Sequence, residues 1–240
     1  LTAACDGLLK VDNKGLKAVN GFGQMMIATR HGNFAVKKGD KLAGTRIIPL
    51  VIEEEKMTKA KEAAMAATGN KPILNLLPFK HKKVGIVTTG NEVFYGRIKD
   101  TFTPVIEGKM AEFDTEIIDH VTWNDDDTKV TASILDMIHK GADIVVCTGG
   151  MSVDPDDKTP LAIKNTGADI VSYGAPVLPG AMFMLAYYQV TEGENPRTVA
   201  IMGLPGCVMY AKRTIFDLVR RTGCFGPGRL MSELSSLYLP

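Results

Sequence analysis

This 240-residue sequence has little cysteine, and what it has is scattered. Cys5, Cys147, Cys207 and Cys224 form no C-x-x-C pair, and two of them lie in or beside apolar strand-like runs. That spacing argues against both a zinc site and a disulfide framework, and it points to a reducing cytoplasm. Charge of one sign is missing as well. With 28 Lys and Arg against 27 Asp and Glu, no global field draws the chain to nucleic acid or to a membrane surface, so any anion site has to be built locally. No apolar run approaches the length of a transmembrane helix, and no basic-then-apolar leader opens the chain. The sequence starts at Leu1 rather than at a methionine, which suggests a fragment. No internal repeat or low-complexity segment is evident. What is present is apolar substance: 45% hydrophobic residues suffice for a packed core in one large or two modest domains.

The first third alternates short apolar pieces with glycine turns, at residues 7–11, 24–28, 34–36 and 42–52, and Lys37-Lys38-Gly39-Asp40 makes a turn between two of them. This spacing predicts a small β-rich module over residues 1 to about 55, expected to support the chain or to dimerise it into a homo-oligomer. Residues 53–67, rich in Glu, Lys, Ala and Met, predict one charged helix that ends near Thr68-Gly69-Asn70. Residues 70–83, with Pro72, Pro78 and the run Lys80-His81-Lys82-Lys83, read as a linker. A like-charge run of that kind usually sits in water rather than on a phosphate. The domain boundary therefore falls there, between a module at 1–80 and a second domain at 81–240.

From Lys83 onward strand and helix signals alternate, which predicts an α/β domain: a mostly parallel sheet in a three-layer α/β/α arrangement. Residues 84–89 and 115–121 predict its first two strands. Asp100-Thr101-Phe102-Thr103-Pro104 supplies a cap and a helix-starting proline for a helix running to about Phe113. Asp125-Asp126-Asp127 has a metal-like look but reads as capping and dipole compensation for a helix whose Val130, Ile134, Leu135 and Ile138 recur at helical spacing. Further on come a short helix at 160–165, a strand at 169–171, and an antiparallel pair at 181–190 and 198–202 joined by the turn Glu192-Gly193-Glu194-Asn195-Pro196. A final helix is predicted from Cys207 to Thr222, stopped by Gly223, Gly226, Pro227 and Gly228.

The organising stretch runs from Asp143 to Pro160. Its β-branched run, Ile144-Val145-Val146-Cys147, is too short for a globular helix and reads as a strand buried on both faces. It empties into Thr148-Gly149-Gly150-Met151-Ser152, where the glycines allow a sharp turn and offer backbone N–H groups to an anion. Asp157 and Thr159 could hold a divalent cation or cap the following helix. Two other strands end the same way, in Thr89-Gly90-Asn91-Glu92 and in Gly203-Leu204-Pro205-Gly206. In open α/β sheets ligands bind outside the carboxyl ends of the strands, so the three loops are expected to share one pocket for a phosphorylated ligand.

Residues 83–221 resemble the molybdenum-cofactor biosynthesis domain shared by MogA-type and MoeA-type proteins. The likeness rests on Thr89-Gly90-Asn91-Glu92 where that family has T-G-D/N-E, on Asp100 in its D-S/T segment, on Thr148-Gly149-Gly150 with Asp157 further on, and on Gly203-Leu204-Pro205-Gly206. Asp157-Lys158-Thr159-Pro160 is similar to the adenylyltransferase branch, whereas Met151-Ser152-Val153 and the G-L-P-G loop look more like the metal-insertion branch. The resemblance implies that molybdopterin, a pterin dithiolene carrying a phosphate, lies across these loops. It also implies that Asp100 and Asp157 sit near a magnesium ion and act in catalysis, with ATP as co-substrate of an adenylyl transfer and a cofactor-assembly protein or molybdoenzyme as partner. The family's glycine after the S-V pair is Asp154 here, and its asparagine after G-L-P-G is Cys207, so metal insertion does not simply carry over. Pro155-Asp156-Asp157-Lys158-Thr159 is also similar to the loop of the competence-damage (CinA-type) proteins, which would imply metal-dependent cleavage of a nucleotide pyrophosphate such as ADP-ribose. A third expectation, motivated by Asp154 and Cys207, is a binding or sensor module without turnover.

Overall fold

The computed structural model describes residues 1–154, 156–191 and 196–223, with side chains through Val219. The chain divides into two compact units, Leu1–Phe79 and Lys80–Pro240. In the first unit, β1 (Gly7–Val11) is the central strand of an antiparallel sheet. It is followed by α1 (Asn13–Asn20), β2 (Met25–Thr29), β3 (Phe34–Val36), β4 (Ala43–Ile47), α2 (Glu54–Thr68) and β5 (Leu74–Pro78). β3 and β5 flank β1, while β2 and β4 pair in a separate two-stranded sheet. A small core of Ala3, Leu9, Val36 and Leu42 is covered by Val11, Leu74 and Leu76.

Two elements of this unit depart from the sequence reading. α1 was not expected, because Gly15 reads as one more turn glycine. Asp12 caps the helix by accepting from the Gly15 amide at 2.9 Å. A Cβ at Gly15 would lie 2.4 Å from Thr68 Cγ2, so the glycine is what lets α1 pack on α2. The expected linker at 70–83 also contains β5, paired with β1 along its whole length. Pro78 closes an edge strand, where its missing N–H leaves no gap in the ladder. In the run Lys80-His81-Lys82-Lys83, Lys80, His81 and Lys83 are exposed, as a like-charge run in water should be, while Lys82 and Lys83 belong to a strand and no linker, with His81 2.9 Å from Asp114 and Lys82 3.2 Å from Asp143.

The second unit begins with β6 (Lys82–Thr89), α3 (Asn91–Phe94), α4 (Phe102–Met110), β7 (Thr115–Trp123), α5 (Asp127–His139) and β8 (Ile144–Thr148). It continues with α6 (Thr159–Asn165), β9 (Asp169–Tyr173), β10 (Met184–Val190), β11 (Arg197–Leu204) and α7 (Ile215–Gly223). The strands lie in the order β7-β6-β8-β11-β10-β9, parallel from β7 to β11, with β10 reversed between β11 and β9. This is an α/β domain on a mostly parallel sheet, and alternation along the strands explains its layers. Ile144 and Val146 join Val84 and Ile86 against Ile106 and Met110 of α4 and Ile215, Phe216 and Val219 of α7. Val145 and Cys147 join Val87 on the opposite face, against Val130, Ile134 and Met137 of α5 and Ala162 and Ile163 of α6. Every residue of β8 is buried, the signature of a strand covered on both sides. Burial also pushes the Cys147 thiol up to about 12, which keeps it neutral and unreactive.

The final helix starts later than its apolar pattern predicts. Gly206–Met209 forms a single 3-10 turn, and the helix opens only at Ile215. Asp217 accepts from the Thr214 amide at 2.7 Å and from its hydroxyl at 3.2 Å, a box-like cap that sets the start. The same buried carboxylate receives Lys109 at 2.9 Å and so ties α7 to α4. Pro155, the turn residues Glu192 to Asn195, and Cys224, Gly226, Pro227 and Gly228 lie outside the described residues. Among the described residues no helix is long and apolar enough to cross a membrane.

Candidate functional site at the carboxyl ends of the strands

The loops after β6, β8 and β11 adjoin one another, and small residues are the reason. Thr89, at the end of β6, is buried. Its hydroxyl donates to the Thr148 carbonyl at 3.2 Å and lies 3.0 Å from the Thr159 hydroxyl, which in turn donates to the Gly149 carbonyl at 2.8 Å. Gly149 has a φ of +81° and Gly150 one of +51°. A Cβ at Gly149 would stand 2.0 Å from the Thr89 carbonyl oxygen, and one at Gly150 would stand 3.0 Å from Thr159 Oγ1. The two glycines therefore let the β8 loop lie directly against the β6 loop. On its other side, the buried side chain of Met151 fills the space over Gly203, where a Cβ would come within 2.6 Å of Met151 Cε. Leu204 and Pro205 are buried behind it, and Gly206 faces the ring of Phe102 at the start of α4.

Asp100 stands at the amino end of α4. One of its oxygens accepts from the amides of Phe102 at 2.8 Å and Thr103 at 3.2 Å, and the other accepts from the Thr103 hydroxyl at 2.5 Å. His120 Nε2 lies 2.9 Å from the same hydroxyl and 3.2 Å from that of Thr88. Because Thr103 gives its single hydroxyl proton to Asp100, the imidazole must donate from Nε2. Neither Thr88 nor His120 was singled out from sequence. Their signal was faint, since Thr88 is a buried polar residue that continues the apolar run of β6 and His120 is a single exposed histidine in β7.

Asp157 does not cap α6. The cap position belongs to Lys158, with no side-chain hydrogen bond, while Asp157 Oδ2 accepts from the Ser152 amide and so braces the loop from within. Asn91 donates to Asp125 at 2.6 Å, which fastens the β6 loop to the start of α5, and the Glu92 side chain is exposed. Asp126 caps α5, and its hydrogen bond from the Lys129 amide holds its carboxyl below the usual range. The structure thus gathers Thr89, Gly149, Gly150, Met151, Gly203 and the start of α4 along one rim. It joins Asp100 and Asp157 by no hydrogen bond or ion pair among the described residues. No group of three His, Cys, Asp or Glu that could hold a metal ion occurs among those residues either. Two buried polar atoms toward this end of the sheet have no hydrogen-bond partner among the described residues: Thr148 Oγ1 at the end of β8 and Asn124 Oδ1 just after β7.

The family whose model matches residues 85–222 is described as the "Probable molybdopterin binding domain". The chain belongs to this family. Curated relatives include the CinA-like protein of Mycobacterium tuberculosis, 32% identical over 77 residues, which are 32% of this chain and 18% of that protein. The CinA-like protein of Syntrophus aciditrophicus is 39% identical over 81 residues, 34% of this chain and 19% of that protein. The chain thus matches about a fifth of the length of these relatives. Among solved structures it is similar to the tungsten cofactor synthesizing protein MoaB from Pyrococcus furiosus, with 20% identity and a TM-score of 0.43 over 66% of this chain and 96% of that one. It is also similar to the protein CinA from Thermoplasma acidophilum, described as of unknown function, with 19% identity and a TM-score of 0.44 over 60% and 98%.

Proposed function

We propose that this molybdopterin-binding-family chain holds molybdopterin across the carboxyl ends of β6, β8 and β11 and acts in or beside molybdenum-cofactor assembly in the cytoplasm. The observation that carries the reading is the single rim formed by the loops at 89–92, 148–152 and 203–206. In this reading the N–H groups of Gly149, Gly150 and Met151 bind the phosphate, because the Ser152 N–H is already held by Asp157. Thr89 sets the spacing of the loops from within, while Gly90, Asn91 and Glu92 present the polar wall. Gly203, Leu204, Pro205 and Gly206 close the other side.

Carboxylates crowd this rim, among them Glu92, Asp125, Asp156 and Asp157, so an anionic ligand needs a cation with it. The donors are hard oxygens of the kind magnesium takes, commonly through one or two carboxylates plus substrate phosphates. Asp100 and Asp157 are the carboxylates the reading assigns to it. Each keeps acceptor capacity, since an ionised carboxylate offers about four lone-pair sites. When bound, magnesium would neutralise phosphate charge during adenylyl transfer from ATP or molybdate insertion. A second copy of the chain belongs to the reading too, because Ile48, Leu50 and Val51 present exposed apolar side chains of the kind an interface covers.

A second reading is favoured by the CinA-like relatives: cleavage of a nucleotide pyrophosphate with Asp156 and Asp157 as metal ligands. One experiment separates the two. Titration with molybdopterin and magnesium is expected to give a micromolar complex, weakened at least tenfold in Asp157→Asn, which keeps an oxygen for the Ser152 amide but removes the charge. Absence of any complex at micromolar concentration, together with release of AMP from ADP-ribose, would replace the first reading with the second. Binding without turnover in the presence of ATP would make the chain a binding module.

A further inference from the structure

Aromatic side chains make up only 7% of this sequence and it has one tryptophan, yet three of its rings gather beside the β6 loop. Phe94 ends α3, two residues after Glu92 of the β6 loop, and Trp123 ends β7, where its carbonyl accepts from the Gly90 amide at 3.0 Å. The Phe94 and Trp123 rings stack with centroids 6.0 Å apart and planes 27° from parallel, and Tyr95 meets Phe94 edge-on at 5.2 Å. Cations flank the group. Lys129 lies 5.5 Å from the Trp123 ring centroid, and the Arg97 guanidinium lies 5.9 Å from that of Tyr95. Phe94 is 39% exposed and Tyr95 61% exposed. Lys129 is held by Asp126 at 3.4 Å, whereas Arg97 has no ion-pair partner among the described residues.

We propose that Phe94 forms a stacking platform for the planar nitrogen heterocycle of the phosphorylated ligand, with Tyr95, whose plane stands 78° from that of Phe94, as a side wall and Arg97 drawing the ligand's anionic part toward the β6 loop. This rests on the reading that a phosphorylated ligand occupies the rim, and it adds what selects the rest of that ligand. The occupant follows from the chemistry. Exposed aromatic faces take any flat π-system, at about 1–3 kcal/mol per stacked base, and an unpaired guanidinium favours one that carries negative charge. A ring cannot slide between Phe94 and Trp123, because two van der Waals contacts need about 7 Å, so the ligand stacks on the face of Phe94 turned away from Trp123. Trp123, clamped by Phe94, by Lys129 and by a hydrogen bond from Nε1 to Ser133 at 2.7 Å, backs the platform and reports on it.

The test titrates the full chain, with magnesium, against three probes: AMP, a pterin monophosphate, and ribose 5-phosphate, which has the phosphate but no aromatic ring. Calorimetry gives affinity, and the single tryptophan gives a fluorescence signal. In Phe94→Leu, which keeps apolar bulk but not the ring, the ring-bearing probe that binds is expected to lose about tenfold in affinity. Ribose 5-phosphate is expected to bind this variant as it binds the wild type. The better of AMP and the pterin identifies the heterocycle. Equal affinity of wild type and Phe94→Leu for every ring-bearing probe overturns the platform while leaving the phosphate site standing. Failure of all three probes to bind overturns both. A drop in oligomeric mass of the variant, by sedimentation, with unchanged affinity assigns the rings to an interface and also overturns the proposal.

Discussion

A methyl group at position 149 would sit 2.0 Å from the Thr89 carbonyl oxygen, on a backbone with a φ of +81°. No side-chain adjustment relieves that contact, because the Cβ is fixed by its own main chain and the oxygen it meets is main chain. Gly149→Ala is therefore expected to destabilise the fold by about 2 kcal/mol or more and to abolish ligand binding, as read by urea unfolding and calorimetry. Gly90 makes the control. Its φ of +139° is unfavourable for alanine, but a Cβ there meets nothing within 4 Å, so Gly90→Ala should cost clearly less. Equal losses would show that backbone conformation, not the approach of the two loops, fixes glycine at 149. At this scale the sequence shows which residue types matter but not which way they point. Thr89-Gly90-Asn91-Glu92 and Thr148-Gly149-Gly150 are recognisable as strings. That the Thr89 hydroxyl turns inward to hold the next loop, and that Asp157 folds back onto Ser152 rather than capping α6, depends on loop closure, which no local pattern encodes.

The start of β6 carries the clearest pH-dependent contact between elements. His81 precedes the strand, and its ring lies 2.9 Å from Asp114 and 3.5 Å from Glu116, beside the start of β7. Hydrogen bonds to Asp114 first, and then to Glu116, raise its pKa above the ordinary histidine value. A pKa raised in the folded state means that folding favours the protonated ring. This contribution is complete below the unfolded value of about 6.5 and is lost as pH rises through the higher folded value. The stability gap between wild type and His81→Gln, measured as urea midpoints, should thus be widest near pH 5 and close above the folded pKa. A gap of equal size at pH 5 and pH 9 would contradict the assignment. Elements of the larger unit were legible because buried strands and amphipathic helices impose their periods on the sequence. α1 and β5 were not, because Gly15 and Pro78 are the residues that normally end elements and here serve a helix contact and an edge strand. The start of α7 was hidden for a related reason: its apolar pattern extends back to Cys207, while the cap between Thr214 and Asp217 decides where the helix begins.

For the molecule as a whole, every residue assigned to the site falls in the unit Lys80–Pro240, and none in Leu1–Phe79. The α/β class was readable from strand and helix alternation alone, and so was the meeting of the three glycine loops, because parallel strands deliver their loops to one edge of the sheet. The aromatic group at Phe94, Tyr95 and Trp123 was not, since Trp123 is distant in sequence from the adjacent pair Phe94 and Tyr95 and meets Phe94 only when β7 pairs with β6. The central claim is that a phosphorylated pterin seats on the glycine loops at the carboxyl edge. The most direct test is a backbone amide nuclear magnetic resonance titration of the full chain with molybdopterin and magnesium. The account predicts that the amides of Gly90, Gly149, Gly150, Met151 and Gly203 shift together and saturate with one affinity, while those of Leu1–Phe79 stay in place. Shifts confined to Leu1–Phe79, or none at all at saturating ligand, would contradict it.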